Sequence, residues 1–278
     1  MRHIVYDTNT LYEPAKLRAL AHRPGVTMWG TVTNVLESVS DIVDDRTFRE
    51  ARSQLRLMLE VSPAHFLPSA DEQFRMALGL ISEPEDAPWW IQIAEKVASS
   101  KSLSDLALNL DSARQLRENH ERAFLQSLFE RMIPSIKPLA NLSSNRFNIR
   151  LSGRELQKLA AFLFSPTGRR AVTDAWLARH ELDRLVLPAR IVEEAHHMLS
   201  GYYLAYRGYV LNIFERNLKP RPNDALDLDL AFSLDLPECT LVTGDRRLLE
   251  AMERGGMPPA RYASIITLDA ERYGDAPN

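Results

Sequence analysis

The first apolar run, His3-Ile4-Val5-Tyr6, stops abruptly at the polar Asp7-Thr8-Asn9. A run of this length and ending predicts a buried strand that delivers a polar turn. A short helix is expected from Pro14 to Ala21, a turn at His22-Arg23-Pro24-Gly25, and a second strand from Val26 to Trp29. Thr31 or Thr33 then caps a helix whose apolar positions Val32, Val35, Leu36, Val39 and Val43 recur at helical spacing. The chain therefore opens β-α-β-α, the order of a parallel sheet covered by helices.

The same order returns near the C-terminus. Pro222-Asn223 starts a helix expected to run to about Leu234, and Cys239 to Thr243 follows as a strand ending at Gly244-Asp245. A helix from Arg246 to Arg254, a stop at Gly255-Gly256 and a final strand from Ser264 to Leu268 complete it. From about Asp45 to Arg216 the pattern is helical, punctuated by prolines, with His65-Phe66-Leu67-Pro68 and Leu185-Val186-Leu187-Pro188 as two short candidate strands. The expected organisation is one α/β core made by residues 1–60 and 205–278, with a helical elaboration over 61–204.

Composition narrows the function only modestly. With 34 basic and 37 acidic residues the net charge is −3, so nucleic-acid binding must rest on local patches rather than on the global field. The single cysteine, Cys239, forms no intramolecular disulfide and fits a reducing compartment. Neither a signal-peptide-like stretch nor a run long enough to span a bilayer is present in the chain, so a cytoplasmic protein without a membrane partner is the expectation.

Candidate chemistry lies in carboxylates at the strand ends. Asp7 and Asp245 each stand just past a predicted strand, and in an open parallel sheet those ends share one edge, outside which ligands bind. Taken singly, each is equally a turn residue. The helix after Asn223 carries Asp224, Asp227 and Asp229. Asp224 suits the positive helix N-terminus, Asp229 is expected to face solvent, and Asp227 falls with Ala231 and Leu234 on the packing face, where an uncompensated carboxylate is costly. Glu37 lies early in the helix that follows the second strand, at the flank of its apolar stripe, with Asp41 one turn on.

These segments resemble the PIN-domain nucleases. The resemblance rests on Ile4-Val5-Tyr6-Asp7-Thr8-Asn9, on the helix from Thr33 that bears Glu37, and on Asn223-Asp224-Ala225-Leu226-Asp227 through Leu241-Val242-Thr243-Gly244-Asp245. Asp227 and Asp245 stand 18 positions apart, the separation expected between that family's helix acid and post-strand acid. The resemblance covers roughly residues 1–45 and 222–268; ordinary members are much shorter and lack so long a helical middle. It implies a PIN-like three-layer α/β/α fold and a metal-dependent nuclease, a ribonuclease before a deoxyribonuclease. Asp7, Glu37, Asp227 and Asp245 would be its catalytic and metal-binding quartet, Asp224 an additional candidate ligand, and Asn9 and Thr243 their polar supports. Oxygen ligands of this kind suit Mg²⁺ or Mn²⁺, which activate water for phosphodiester hydrolysis.

Lys219, Arg221 and Arg246, together with Arg247, are the nearest candidate phosphate contacts, and each is equally a solvated charge near a helix end. Arg146, Arg150, Arg154, Lys158, Arg169 and Arg170 make the middle locally basic, with Arg150 and Arg154 the first candidates there to meet phosphates. Trp89-Trp90 and Tyr202-Tyr203-Tyr206 are read as packing residues before stacking platforms, and Cys239 as a small core residue. A phosphatase-like use of Asp7 as nucleophile wants a second acid two positions on, where Asn9 stands. The alternative outside enzymology is a catalytically weak scaffold whose helical middle binds a protein. An antitoxin, another protein partner and a homo-oligomer all stay open.

Overall fold

The computed structural model describes residues 1–136, 151, 153–180, 182, 184–235 and 238–268. Chain order begins with β1 (Arg2–Tyr6), a 3₁₀ turn (Thr8–Tyr12), α1 (Pro14–Ala21), β2 (Val26–Thr31), α2 (Val32–Ser40), α3 (Asp45–Val61) and β3 (Phe66–Leu67). The helical middle comprises α4 (Ala70–Ala77), α5 (Asp86–Ser99), α6 (Leu110–Ser127), a π-helical turn (Leu128–Met132), α7 (Ile133–Ile136), α8 (Gly153–Phe164), α9 (Pro166–Arg179), α10 (Ala189–Met198) and α11 (Ser200–Arg216). The chain returns through α12 (Asp224–Asp229), a 3₁₀ segment (Leu230–Asp235), β4 (Cys239–Thr243), α13 (Arg246–Arg254) and β5 (Tyr262–Ser264).

The five strands form one parallel sheet in the order β3-β2-β1-β4-β5. In β1, Ile4 and Tyr6 point into one core and Val5 into the other, the alternation that a strand buried on both faces requires. Ile4, Tyr6, Met28 and Val242 pack with α1, α2, α3 and α5; Val5, Leu67, Cys239 and Leu241 pack with α4 and the helices from α6 onward. Helices thus cover both faces, and because β1 and β4 are neighbours (Tyr6 beside Val242), the ends of both strands lie side by side.

The structure moves several sequence expectations. The final strand is Tyr262–Ser264, paired with Leu241–Thr243, and residues 265–267 already turn away; pairing with β4, rather than the apolar run, sets its limits. Leu185–Pro188 is a connection into α10 and not a strand: Leu187 is buried among helices while Val186 is 91% exposed. Phe66–Leu67, one of the two candidate strands, does join the sheet, so the core extends past the expected boundary at 60, and α11 runs through the expected boundary at 204. The helical middle therefore packs on both sheet faces, α5 in the core of Ile4 and Tyr6 and its other helices in the core of Val5. Among the described residues no helix is long and apolar enough to cross a membrane.

Two glycines bring α11 and α13 to backbone contact. A Cβ on Gly208 would lie 1.8 Å from the carbonyl oxygen of Ala251, and one on Gly255 would lie 1.9 Å from that of Leu204. This close approach fixes α13, and with it Asp245 at its N-terminus, against the sheet.

Candidate carboxylate site

Asp7 begins where β1 runs out. Its amide still bonds to the carbonyl of Val242 at 2.9 Å, so the residue is held by β4 as well as by its own strand. Asp7 Oδ2 accepts hydrogen bonds from Thr243 Oγ1 at 2.7 Å and Asn9 Nδ2 at 3.0 Å. Thr243 Oγ1 in turn accepts the amide N–H of Asp245 at 2.8 Å. Both residues expected to support the quartet, Asn9 and Thr243, thus contact Asp7. Asp245 caps α13 by accepting the N–H of Leu248 at 2.8 Å, so its backbone is set from two sides.

Glu37 reaches the same edge from α2. Thr31, at the end of β2, and Asn34 form a reciprocal capping box. Asn34 Nδ2 also donates to the carbonyl of Tyr6 at 3.1 Å and to Thr8 Oγ1 at 3.2 Å, and Thr8 Oγ1 donates to Glu37. One asparagine therefore ties the start of α2 to the end of β1 and orients the threonine that holds Glu37. Thr8, Asn34 and Arg117 were not singled out in the sequence. The Thr31-x-x-Asn34 spacing is a cap signal that could have marked the asparagine; nothing local marks Arg117, which arrives from α6. Arg117 bonds Asp41 at 2.6 Å, Ser40 at 3.0 Å, Glu121 at 2.8 Å and Asn223 at 2.7 Å, joining α2 to the start of α12.

All six residues of α12 are buried, so helix phase does not sort its three acids; their partners do. Asp224 Oδ2 accepts from Tyr209 Oη at 2.8 Å, the Arg221 amide at 2.7 Å and Arg247 at 3.1 Å. Asp229, expected in solvent, is instead 4% exposed and paired with Arg179 at 2.8 and 3.0 Å and with His120 at 2.5 Å. Its carboxyl is held down at about 2: burial opposes this, but Arg179 and His120 outweigh it. Asp227 alone has no hydrogen-bond donor among the described residues, though it is 8% exposed.

The electrostatics tie the four acids together. Burial pushes the carboxyl of Asp227 well above the usual range, and the charges of Asp7, Glu37 and Asp245 each push it further. Glu37 is raised to about 8, first by burial and then by Asp7, with Thr8 and Arg117 pulling the other way. Asp7 is raised by burial and by Asp245 against its bonds to Thr243 and Asn9. Four carboxylates from four separate segments thus act on one another. Among the described residues no three His, Cys, Asp or Glu side chains are gathered tightly enough to coordinate an ion as they stand. The chemistry of the set nonetheless fits a hard divalent cation: oxygen donors only, mutually repelling, with one carboxylate left unbonded.

The basic residues near this edge are disposed unequally. Lys219 and Arg221 are exposed, Arg246 pairs with Glu250 at 2.9 Å, and Arg247 is taken up by Asp224 and the carbonyl of Lys219. In the helical middle Arg154 and Lys158 are exposed, Arg169 and Arg170 pair with Glu193 and Asp174, and Arg146 and Arg150 lie outside the described residues. Trp90, Tyr202, Tyr203, Tyr206 and Cys239 are buried packing residues, whereas Trp89 is exposed. Comparison of the chain with protein-family models, with curated proteins and with solved structures returns no match in any of the three.

Proposed function

We propose that the protein is a Mg²⁺- or Mn²⁺-dependent nuclease of PIN-like architecture, with single-stranded RNA as its substrate. The observation that carries this reading is Asp227: a carboxylate with no donor among the described residues, pushed up first by its burial and then by the charges of Asp7, Glu37 and Asp245. A fold keeps such repulsion when something positive relieves it in the working state. Asp7, Glu37, Asp227 and Asp245 would hold the cation, while Asp224, saturated on one oxygen by Tyr209, Arg221 and Arg247, positions α12 instead.

The bound ion would supply an activated water and neutralise charge on the scissile phosphate. The chain's own contribution is positional. Thr243 and Asn9 fix Asp7, Thr8 fixes Glu37, and the α13 cap fixes Asp245, so three carboxylates are pre-set while Asp227 stays free to adjust. Exposed Lys219 and Arg221 stand beside α12 to meet substrate phosphates, and Arg246 can do so by releasing Glu250.

The deciding experiment incubates purified protein with end-labelled single-stranded RNA and Mg²⁺ or Mn²⁺. Hydrolysis that EDTA stops and that Asp7→Asn reduces by about a hundredfold or more is expected. Intact RNA and intact DNA under every metal condition would sink the reading.

A further inference from the structure

A cavity of about 290 Å³ lies between the Thr8–Tyr12 turn, the C-terminal half of α2 and α3. It is contiguous in the chain with the proposed site on two sides. Ser38 follows Glu37, and the turn that presents Tyr12 is capped by Asp7.

Its lining is unusual in two independent ways. Tyr12 and Val43 are 63% and 65% exposed, so a large aromatic and a branched apolar side chain stand in solvent at its rim. Ser38 is 2% exposed and its Oγ has no hydrogen-bond partner among the described residues. An apolar rim over a buried, unsatisfied hydroxyl is the composition of a site that stacks a flat ring and reads its edge. At the small end of the ~300–1,000 Å³ typical of ligand sites, it suits one base rather than a longer stretch of chain.

Charge selects what enters. Asp41 and Glu50 line the cavity, and Asp41 is already committed to Arg117. Glu50 holds only a partly exposed pair with Arg46, four residues earlier on the same helix, which is weak. Carboxylates repel phosphate and accept from N–H groups. Guanine alone among the four RNA bases offers two adjacent N–H donors, at N1 and N2, to a single carboxylate. Adenine and cytosine set one amine beside an acceptor, and uracil flanks its N–H with two carbonyls.

We propose that this cavity is a nucleobase subsite for guanine, with Tyr12 stacking on the ring and Glu50 accepting its N1–H and N2–H. It rests on the nuclease reading for its biological meaning, but its ligand chemistry can be tested without any cleavage.

Calorimetric titration of the full chain in EDTA with guanosine, adenosine, cytidine and uridine is the direct measurement. Guanosine should bind at least about tenfold tighter than the others. Tyr12→Ala should weaken it roughly tenfold to a hundredfold, and Glu50→Gln about tenfold with loss of the preference. Both side chains are largely exposed, so circular dichroism should show both variants folded. In parallel, cleavage of RNA oligomers containing one guanosine or none should favour the former, and Glu50→Gln should erase the difference. Equal affinity for all four nucleosides, no binding, or binding indifferent to both substitutions overturns the subsite. Guanosine binding that depends on Tyr12 and Glu50 in a protein that cuts no RNA overturns the nuclease reading and keeps the subsite. Cleavage without guanosine binding overturns the subsite alone.

Discussion

At the residue scale the three acids of α12 show how context assigns roles to identical side chains. Asp224 is bonded, Asp229 is ion-paired, and Asp227 carries repulsion that nothing among the described residues offsets. Asp227→Asn removes that repulsion while keeping size. The metal-free fold should become more stable, by roughly 1 kcal/mol, while RNA hydrolysis falls by about a hundredfold or more. Urea unfolding and single-turnover cleavage measure the two effects, and a variant that loses stability would show that Asp227 has a structural partner. Glu37 supplies the pH signature. Its carboxyl is raised from 4.5 to about 8, so the folded state favours the protonated form. The stabilisation from that preference is complete below about pH 4.5 and is lost as the pH rises through about 8. Thermal melts in EDTA should therefore fall across this window, and Glu37→Gln should flatten the fall. An unchanged profile in the variant would place the titration elsewhere.

At the scale of elements, the site depends on two joints. One is Asn34, which fastens the N-terminus of α2 to the end of β1. The other is the contact of α11 with α13, where Gly208 and Gly255 let helix backbones meet. Gly208→Ala would put a methyl group 1.8 Å from a carbonyl oxygen, so the helices must separate. A loss of about 1–3 kcal/mol is expected from such overpacking, together with reduced cleavage, because α13 carries Asp245 at its start. Wild-type stability in that variant, read from urea unfolding, would mean the helices do not approach so closely. Apolar periodicity located α1, α13, the start of α2 and the strands β1, β2 and β4 well, because each buries a continuous stripe or run; it carried α2 on to Val43, which lies beyond the helix end at Ser40 and is exposed. It misplaced β5 and gave a strand at Leu185–Pro188, since a short apolar run does not reveal whether a neighbouring strand offers it hydrogen bonds.

At the scale of the whole molecule, the long helical middle is bound to the sheet by a buried polar knot as well as by its core. Asp229 from α12 meets Arg179 from α9 and His120 from α6, and both Asp229 and Arg179 are nearly fully buried. Asp229→Asn would leave the Arg179 guanidinium buried without its counter-charge, and a loss of roughly 3–5 kcal/mol is expected. The native pair also stabilises above about pH 3.8 and is lost as pH falls through about 2, so the variant's deficit should shrink in strong acid. Chemical denaturation at neutral and acid pH tests both statements.

Local order along the chain settled where strands end and hence where Asp7 and Asp245 stand, because a buried parallel strand must be an apolar run and its polar successor must emerge at the sheet edge. It also placed Glu37, since a helix that follows such a strand starts at that same edge. Tertiary structure alone decided which acids are satisfied. Arg117, Arg179 and His120 come from helices distant in sequence and Tyr209 from the helix before α12, and such pairing depends on proximity in space, which no local periodicity encodes. Solvation of Asp229 was the natural expectation for an acid on a helix face of its own. It failed because α12 is surrounded on every side, so that burial, and with it the need for a partner, was set by the helices packed around it rather than by its own six residues.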